Sequence, residues 1–359
     1  MLLSGRNINC FMIISDKTIS ALGLFDNLKI QTAKHNIKCI VYDNTRQNPT
    51  IDNAEEALQI YLDNNCKALV GFGGGSAIDC AKAVAARVAK PKKTLIKMKG
   101  LFKVLKKTPL TIAIPTTSGT GSEATVACVM TDSRNHHKYA INDLSLIPHY
   151  ALLDPGLSLG LPKQITATTG MDALTHAVEA YIGHSLTRKT KKCAIEAVKL
   201  IIDNILIAYN QPDNLAARSA MQRASYLAGV AFTRSYVGNI HALSHAVSGK
   251  YQTPHGLANA VLLPRVLEYY GKKSAKKLSN LAKIAKISNS KDNNVNAKAF
   301  VDLIYKMNDD MNIGKKLNVN PDDFAMLSKF AEKEANPLYP VPKIFCREDF
   351  IQILKEVQT

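Results

Sequence analysis

The chain lacks the features of a membrane-spanning or secreted protein. No stretch of about 18 apolar residues occurs in it, and its N-terminus has neither the apolar region nor the small-residue cleavage site of a signal peptide. Its seven cysteines lie far apart and include no C-x-x-C pair, so they are interpreted as reduced thiols rather than as a disulfide framework. These absences predict a cytoplasmic protein without a membrane partner.

Acidic residues are scarce relative to basic ones, 29 against 46, which gives a formal net charge of +17. Most of the excess is lysine scattered beside asparagine, which indicates a biased genome as readily as a basic binding surface. The one dense basic run, residues 90–107, contains a single aromatic, Phe102, so partners for base stacking are scarce. We expect a solvated loop there and no nucleic-acid partner. Nucleic-acid binding is an alternative based on charge alone, and a salt-dependent gel shift would test it.

The first half of the sequence alternates between strand and helix patterns. Short apolar runs rich in Val, Ile and Phe are bounded by turn residues, as buried strands are, and segments of helical period lie between them. This alternation predicts a doubly wound α/β domain with a parallel sheet. The predicted strands are 10–15, 39–42, 67–72 and 110–114, and the predicted helices include 53–64 and 76–89.

From Pro162 onward the pattern is helical, as in residues 194–209 and 216–232, with a polar loop at 288–296. The chain has 359 residues, and single cores stop growing at about 250–300 residues. We therefore predict two domains, an α/β domain over 1–161 and an all-α domain over 162–359.

A glycine-rich turn follows the third predicted strand, in "GFGGGSAIDCAK" at residues 71–82. Glycine lets the backbone approach a ligand and adopt positive φ, and the following helix directs unpaired N–H groups at it, which suits a phosphate. The string has neither the usual G-x-G-x-x-G spacing nor the lysine of a P-loop, so by itself it could also be a tight turn between a strand and a helix.

Two further features favour a dinucleotide. The stretch "IPTTSGTGSEAT", residues 114–125, is a second turn after a strand, dense in the hydroxyl and glycine residues that can surround a pyrophosphate. Asp16 ends the first strand, where a carboxylate can accept hydrogen bonds from an adenosine ribose diol and repel a 2′-phosphate. Three loops at the carboxyl ends of strands are thus predicted to converge on one dinucleotide.

Acidic and histidine side chains occur in pairs in the helical half. Asp172 and His176 are four residues apart, as are His241 and His245, so each pair shares one face of a helix. His255 follows just before another helix. One carboxylate with two or three imidazoles suits Fe²⁺ or Zn²⁺, with a position left open for substrate.

Spacing alone does not select the ligands. Glu179 lies on the same helical face as Asp172, and His245 lies on the same face as His241. Each histidine also has a simpler interpretation, because isolated histidines often lie at the edge of a core or hydrogen-bond to a carbonyl.

Several longer strings keep a common order over roughly residues 11–345. They are "NPT" at 48–50, "GGGSAIDCAK", "IPTTSGTGSE", "TTGMDALTHAVEAY", "AFTRSYVGNIHALSHAVSGKYQTPHGLANAVLLP" and "EANPLYPVPKI". In these strings the chain closely resembles the iron-containing, or group III, alcohol dehydrogenases. The resemblance implies a Rossmann-like α/β domain, an all-α domain and an active site in the cleft between them.

The resemblance also implies roles for individual residues. Its metal ligands are Asp172, His176, His241 and His255, while His245 lies beside the metal as a substrate contact or proton relay and Glu179 supports the ligands. The positions implied for NAD are Asp16 at the adenosine ribose, Asn48, Gly74, Gly75, Ser76 and Asp79 around the phosphates and the nicotinamide side, Thr116, Thr117, Ser118 and Thr120 in the second turn, and Lys138.

By the same resemblance the protein is an NAD-dependent enzyme that binds Fe²⁺, with Zn²⁺ as the other candidate, and interconverts a small primary alcohol or diol and its aldehyde. The alternative is a metal- and NAD-dependent lyase similar to dehydroquinate synthase, whose Glu and two His ligands do not match Asp172 with three histidines. A homodimer or larger homo-oligomer is expected. The chain opens almost directly on "CFMIIS", however, so the outer β-hairpin of the family and any dimer contact that it makes are not predicted.

Overall fold

Residues 3–134 and 137–359 are described by the structure, a computed structural model, and they divide into two units. The first unit extends to Thr117 and resumes over Ser122–Leu157. The second comprises Ser118–Gly121 and Ser158–Thr359. The functional boundary drawn between residues 161 and 162 stays a prediction.

The first unit is built on a parallel sheet of five strands, which confirms the α/β prediction. Its strands are β1 (Cys10–Ile14), β2 (Lys38–Tyr42), β3 (Ala68–Gly73), β5 (Leu110–Pro115) and β8 (Tyr150–Ala151), in the spatial order β2-β1-β3-β5-β8. Its helices are α1 (Lys17–Ala21), α2 (Asp26–Ala33), α3 (Ile51–Asp63) and α4 (Gly75–Ala89). Three of the four predicted strands differ from their predicted bounds by one residue at one end, and β3 differs by one residue at both ends.

Both faces of this sheet are buried. Met12 and Ile14 belong to one apolar cluster, whereas Phe11 and Ile13 belong to another. Successive side chains of a strand point to opposite faces, so a strand covered on both sides reads as a continuous apolar run. That is why the strands could be recognised in the sequence.

A second, three-stranded sheet in the first unit was not predicted. It consists of β4 (Gly100–Leu101), β6 (Ala127–Asp132) and β7 (His137–Asn142), in the order β4-β7-β6, with β6 and β7 antiparallel. Along β6 the buried residues alternate with half-buried ones, and Cys128 and Met130 face the core. This period of two was the available signal, and the preceding turn residues obscured it.

The prediction that residues 90–107 form a solvated loop is wrong in part. The segment is mostly irregular, but the side chains of Leu95, Met98 and Val104 are fully buried. The carboxylate of Asp143 accepts hydrogen bonds from the backbone N–H groups of Val104 and Leu105, at 2.9 and 3.0 Å. Most of the lysines are exposed, while the three buried apolar side chains anchor the segment to the core.

The second unit is helical, as predicted. Its helices are α5 (Lys163–Ile182), α6 (Arg188–Asn210), α7 (Leu215–Ser235), α8 (Asn239–Tyr251), α9 (His255–Tyr270), α10 (Lys272–Ile284), α11 (Asn293–Asp310), α12 (Phe324–Ala335) and α13 (Arg347–Val357). The side chains of Thr187 and Asn214 cap the first turns of α6 and α7, which places the starts of these helices before the apolar pattern begins.

The predicted loop at 288–296 is too long. Asp292 accepts a hydrogen bond from the backbone N–H of Asn294 at 2.8 Å, so α11 begins at Asn293. Asparagines in its first turn gave a polar stretch without a helical pattern. Over the described ranges, every helix is too short or too polar to cross a bilayer.

Candidate functional site

Two helices of the second unit bring an acid and two histidines together. Asp172 and His176 lie on α5 and His241 lies on α8, and all three side chains are buried. Their potential ligand atoms lie within 4.8 Å of one another. The sequence predicted that each helical pair shares a face, and the structure adds that the two faces meet.

The first residue of α9, His255, joins this group. Its Nε2 is 3.5 Å from Asp172 Oδ1, while His241 Nε2 and His176 Nδ1 are 3.8 and 3.9 Å from the same oxygen. Gly256 allows the close approach of α9 to α5, because a Cβ at this position would collide with the backbone of Thr168. The four residues implied as metal ligands are therefore clustered around one carboxylate.

A hydrogen-bond donor lies near the common focus of these groups. The side-chain nitrogen of Asn259 is 2.7 Å from Asp172 Oδ1, 3.2 Å from His241 Nε2 and 3.1 Å from His255 Nε2. Three acceptor atoms on three helices are thus directed at a single point. The sequence offered a signal for this amide, since Asn259 follows His255 by four residues on the same helical face.

The chemistry of this donor set fits a divalent transition ion. Burial lowers the pKa of His176, and burial together with the neighbouring His176, His255 and His245 lowers the pKa of His241. The imidazoles are therefore neutral and keep a lone pair for a metal. His176 Nδ1 is buried and has no hydrogen-bond partner among the described residues, so a ligand would satisfy it.

Glu179 orients one of these histidines. Its Oε2 lies 2.6 Å from His241 Nδ1, and its two oxygens accept hydrogen bonds from the backbone N–H groups of Gly238 and Ile240 at 2.9 and 2.8 Å. Burial raises the pKa of Glu179 to about 8, although these N–H groups act in the opposite direction. With His241 Nδ1 engaged by Glu179, its Nε2 faces the other ligands, an arrangement typical of metal-binding histidines.

The fourth histidine of the sequence pattern, His245, lies beside this cluster. The His245 ring stacks on that of His255, with centroids 5.0 Å apart and an interplanar angle of 18°. Its Nδ1 is 2.6 Å from Oε1 of Glu334 on α12. Glu334 was missed in the sequence because nothing in the spacing of α12 relates it to α8.

In the first unit, the two predicted turns lie side by side. Gly74 precedes the first residue of α4, Gly75, and a Cβ at Gly74 would lie 3.5 Å from the hydroxyl of Thr117. The backbone N–H of Thr116 donates to the carbonyl of Gly73 at 3.0 Å. The absence of a side chain at the first turn therefore leaves its backbone accessible next to the hydroxyls of the second turn.

Other predicted cofactor positions of the first unit border these turns. The backbone N–H of Asn48 donates to the hydroxyl of Ser76 at 3.3 Å. One oxygen of Asp16 caps α1 by accepting from the backbone N–H of Ile19 at 3.0 Å, while a Cβ at Gly73 would lie 3.7 Å from the other.

Lys138 lies opposite Thr131 in the β6–β7 pairing, and Thr131 donates its backbone N–H to the carbonyl of Pro49. Burial lowers the pKa of Lys138. Ser118 and Thr120 belong to the short segment that groups with the helical unit, where Ser118 lines a small cavity with Thr169 and Arg218.

A buried lysine holds the end of the second turn. Lys82 on α4 is fully buried, and its ammonium lies 2.6 to 3.0 Å from five oxygen atoms of Ser122, Thr125 and Ala127. Asp79 accepts from the hydroxyl of Ser122 at 2.6 Å and from the backbone N–H of Val129 at 3.0 Å. In this structure Asp79 therefore supports the second turn from within.

Two profiles of known families match the chain in succession. "Iron-containing alcohol dehydrogenase" matches residues 2–155, and the C-terminal domain of the "Fe-containing alcohol dehydrogenase family" matches residues 166–358. This chain belongs to the iron-containing alcohol dehydrogenase family. The sequence resemblance is thereby confirmed.

Named members of the iron-containing alcohol dehydrogenase family are similar to the chain over nearly its whole length. Alcohol dehydrogenase 4 of Saccharomyces cerevisiae is 35% identical over 96% of this chain and 90% of its own length. A crystal structure of a 1,3-propanediol oxidoreductase has a TM-score of 0.95 at 30% identity, covering 99% of this chain and 94% of the other. Sulfoacetaldehyde reductase from Bifidobacterium kashiwanohense, solved with NAD⁺, has a TM-score of 0.88 at 25% identity, covering 100% and 93%.

These relatives confirm the enzyme class and do not favour the lyase alternative. Their names are those of oxidoreductases of alcohols or aldehydes. Three polar residues that the structure places in or beside the two predicted sites were given no role from the sequence. They are Lys82, Asn259 and Glu334, each of which was quoted only as part of a longer string.

Proposed function

We propose that the protein interconverts a small primary alcohol or diol and its aldehyde, with NAD as hydride carrier and Fe²⁺ as the bound metal. The observation that carries this proposal is the convergence of Asp172, His176 and His241 within 4.8 Å in a buried site. The names of the relatives, which include a diol oxidoreductase and an aldehyde reductase solved with NAD⁺, support the substrate class and the cofactor. Residues 162–359 would hold the metal and residues 1–161 the dinucleotide.

Asp172, His176, His241 and His255 are the proposed metal ligands. When bound, the metal supplies Lewis acidity towards the substrate oxygen, and NAD supplies the acceptor for the hydride. The carboxylate of Asp172 contributes the negative charge of the set, and the lowered pKa values of His176 and His241 keep those rings neutral, with a lone pair available to a metal. Zn²⁺ is the second candidate, because both ions accept a mixed carboxylate and imidazole set.

The remaining side chains of the site orient the ligands and the substrate. Glu179 holds His241 through Nδ1. His245 stacks on His255 at the border of the ligand set and is the proposed contact for the substrate hydroxyl. The other two histidines of the helical pairs, His176 and His241, are proposed metal ligands, so His245 is the one that remains for the substrate.

The proposed contacts of NAD are the positions that border the two turns. Backbone N–H groups at Gly74, Gly75 and Ser76 suit the phosphates, because they begin a helix of 15 residues. The carboxylate of Asp16 suits the adenosine ribose. The other proposed contacts are Asn48, Asp79, Thr116, Thr117, Ser118, Thr120 and Lys138.

We further propose that the protein acts in the cytoplasm as a homodimer or a larger homo-oligomer. The seven cysteines are free thiols in the structure, which supports a reducing compartment. Fractionation of the cells and sedimentation of the purified protein would test the two points separately.

The proposed function is tested by a substrate screen on metal-loaded protein. Primary alcohols, diols and aldehydes are offered with NAD⁺ or NADH, and absorbance of NADH is followed. Turnover of at least one alcohol and aldehyde pair is expected, and it should be abolished by a chelator and restored by Fe²⁺ or Zn²⁺. Absence of turnover with all of them after metal loading would contradict the proposal.

A further inference from the structure

One carboxylate outside the ligand set contacts the histidine that borders it. Glu334 Oε1 lies 2.6 Å from His245 Nδ1, and both side chains are about one-third exposed, at 33% and 35%. A carboxylate oxygen accepts hydrogen bonds, so we assign the proton of this contact to Nδ1. The contact joins α12 to α8 within the helical unit.

A second donor fixes the same oxygen. The hydroxyl of Tyr339 donates to Glu334 Oε1 at 2.8 Å. Burial and the nearby carboxylate raise the pKa of Tyr339 well above its ordinary value, so the phenol stays protonated and remains a donor. Tyr339 thus holds Glu334 in place, and Glu334 in turn holds His245.

This arrangement determines what His245 offers to a ligand. A neutral imidazole that donates from Nδ1 keeps its lone pair on Nε2. The stacking on His255, at 5.0 Å between centroids, sets the plane of the ring beside the ligand set. In water, an unsupported imidazole prefers the opposite tautomer, with the proton on Nε2.

We propose that Glu334 is a positioning residue that holds His245 as the Nδ1–H tautomer, so that Nε2 accepts a hydrogen bond from the hydroxyl of the alcohol. Without Glu334 the ring could rotate or present an N–H group where the hydroxyl needs an acceptor. This inference rests on the proposed function, because it gives His245 a substrate contact. It adds a residue whose position in the sequence gives no indication of such a role.

The test compares three variants of the metal-loaded enzyme. Glu334→Ala removes the acceptor, whereas Glu334→Gln keeps an oxygen that can accept from Nδ1. Glu332→Gln is the matched control, because Glu332 lies on the same helix but pairs with Arg347 at 2.9 Å on the surface. We expect kcat/KM for the alcohol to fall about tenfold in Glu334→Ala, the effect of one hydrogen bond, and much less in the two glutamine variants.

A double variant separates positioning from a general structural effect. In the His245→Ala background, adding Glu334→Ala should cause no further loss, since the residue through which Glu334 acts is gone. Metal content and the Kd for NADH should stay at the wild-type values in all variants. An additive loss in the double variant, loss of metal, or an unchanged kcat/KM in Glu334→Ala would overturn the proposal.

A spectroscopic readout is independent of turnover. In the zinc-loaded protein labelled with ¹⁵N-histidine, the signal of His245 should show a protonated Nδ1, and Glu334→Ala should shift the proton towards Nε2. An unchanged tautomer in the variant would overturn the inference. If the wild type and Glu332→Gln oxidise no alcohol, the proposed function fails, while the ¹⁵N signals still decide whether Glu334 fixes the tautomer.

Discussion

The buried network around Lys82 in the α/β unit and the ligand cluster of the helical unit differ in how far the protein satisfies their polar groups. In the α/β unit the ammonium of Lys82 has five oxygen atoms within 3.0 Å, all of them from the protein itself. In the helical unit His176 Nδ1 and Asn259 Oδ1 are buried and have no hydrogen-bond partner in the described part of the chain. Buried polar groups are nearly always satisfied, so the first arrangement is a scaffold and the second is a site that awaits a ligand.

The largest effect should follow from removing an unsatisfied ligand atom. His176→Leu should abolish iron binding and lower turnover about a thousandfold, because Lewis acidity is worth several kcal/mol in the transition state. The melting temperature of the metal-free variant should be no lower than that of the metal-free wild type, since the substitution removes a buried group without a partner. Elemental analysis and thermal unfolding of the same sample measure both.

His184→Ala is the control for this prediction, because His184 is an exposed histidine of the same unit. It should keep iron, turnover and melting temperature. Full iron occupancy in His176→Leu would remove His176 from the ligand set. A large loss of stability in its metal-free form would show that the ring supports the fold instead.

A loss of stability is expected when the hydrogen-bond network around Lys82 is broken. Lys82→Met leaves three carbonyl and two hydroxyl oxygens buried without their cation, which typically costs about 3–5 kcal/mol and should lower the melting temperature by about 5–10 °C. NAD binding should weaken as well, because Ser122 and Thr125 form the end of the predicted pyrophosphate turn. Lys99→Met, at an exposed lysine of the same unit, should change neither property. Equal melting temperatures of the two variants would contradict the scaffold role.

Features that depend on local sequence were predictable, whereas features that depend on contacts between distant segments were not. The strands of the main sheet were predictable because burial on both faces makes continuous apolar runs, and Asp172, His176, His241 and His245 were predictable because helical spacing is a local property. Which of these residues bind the metal was not predictable from spacing, since Glu179 and His245 fit the same spacing as the proposed ligands. Three-dimensional contact separates them: Glu179 binds the far nitrogen of His241, and His245 faces Glu334.

The missed features depend on contacts between distant segments. Lys82 reaches oxygens 40 to 45 residues away, and Glu334 is 89 residues from His245, so no periodic pattern relates them. The β6–β7 hairpin and the buried residues of 90–107 were missed because charged or small residues interrupt their apolar positions. In each case the role of a residue depends on a contact with a distant part of the chain, which the residues around it in the sequence do not reveal.

The charge of Asp16 should decide whether the α/β unit prefers NAD or NADP. Asp16→Ser keeps a good cap for α1 but removes the carboxylate that would repel a 2′-phosphate. The ratio of kcat/KM for NADP to that for NAD should therefore rise about tenfold or more. Asp26→Ser, at an exposed aspartate paired with Lys29, is the control and should leave the ratio unchanged. An unchanged ratio in Asp16→Ser would place cofactor selection elsewhere.

The smallest effect concerns a buried acid of the α/β unit that its surroundings do not satisfy. Glu123 is 3% exposed, its Oε1 has no partner among the described residues, and burial raises its pKa from 4.5 to about 7. Between these values the folded state binds more protons than the unfolded state, so stability falls as pH rises and the penalty is complete above pH of about 7. In metal-free protein, the drop in melting temperature from pH 5 to pH 8 should be about 5 °C smaller in Glu123→Gln than in wild type. The control Glu332→Gln, at a glutamate paired with Arg347, should keep the wild-type drop. If Glu123→Gln keeps it too, the acid is satisfied in solution.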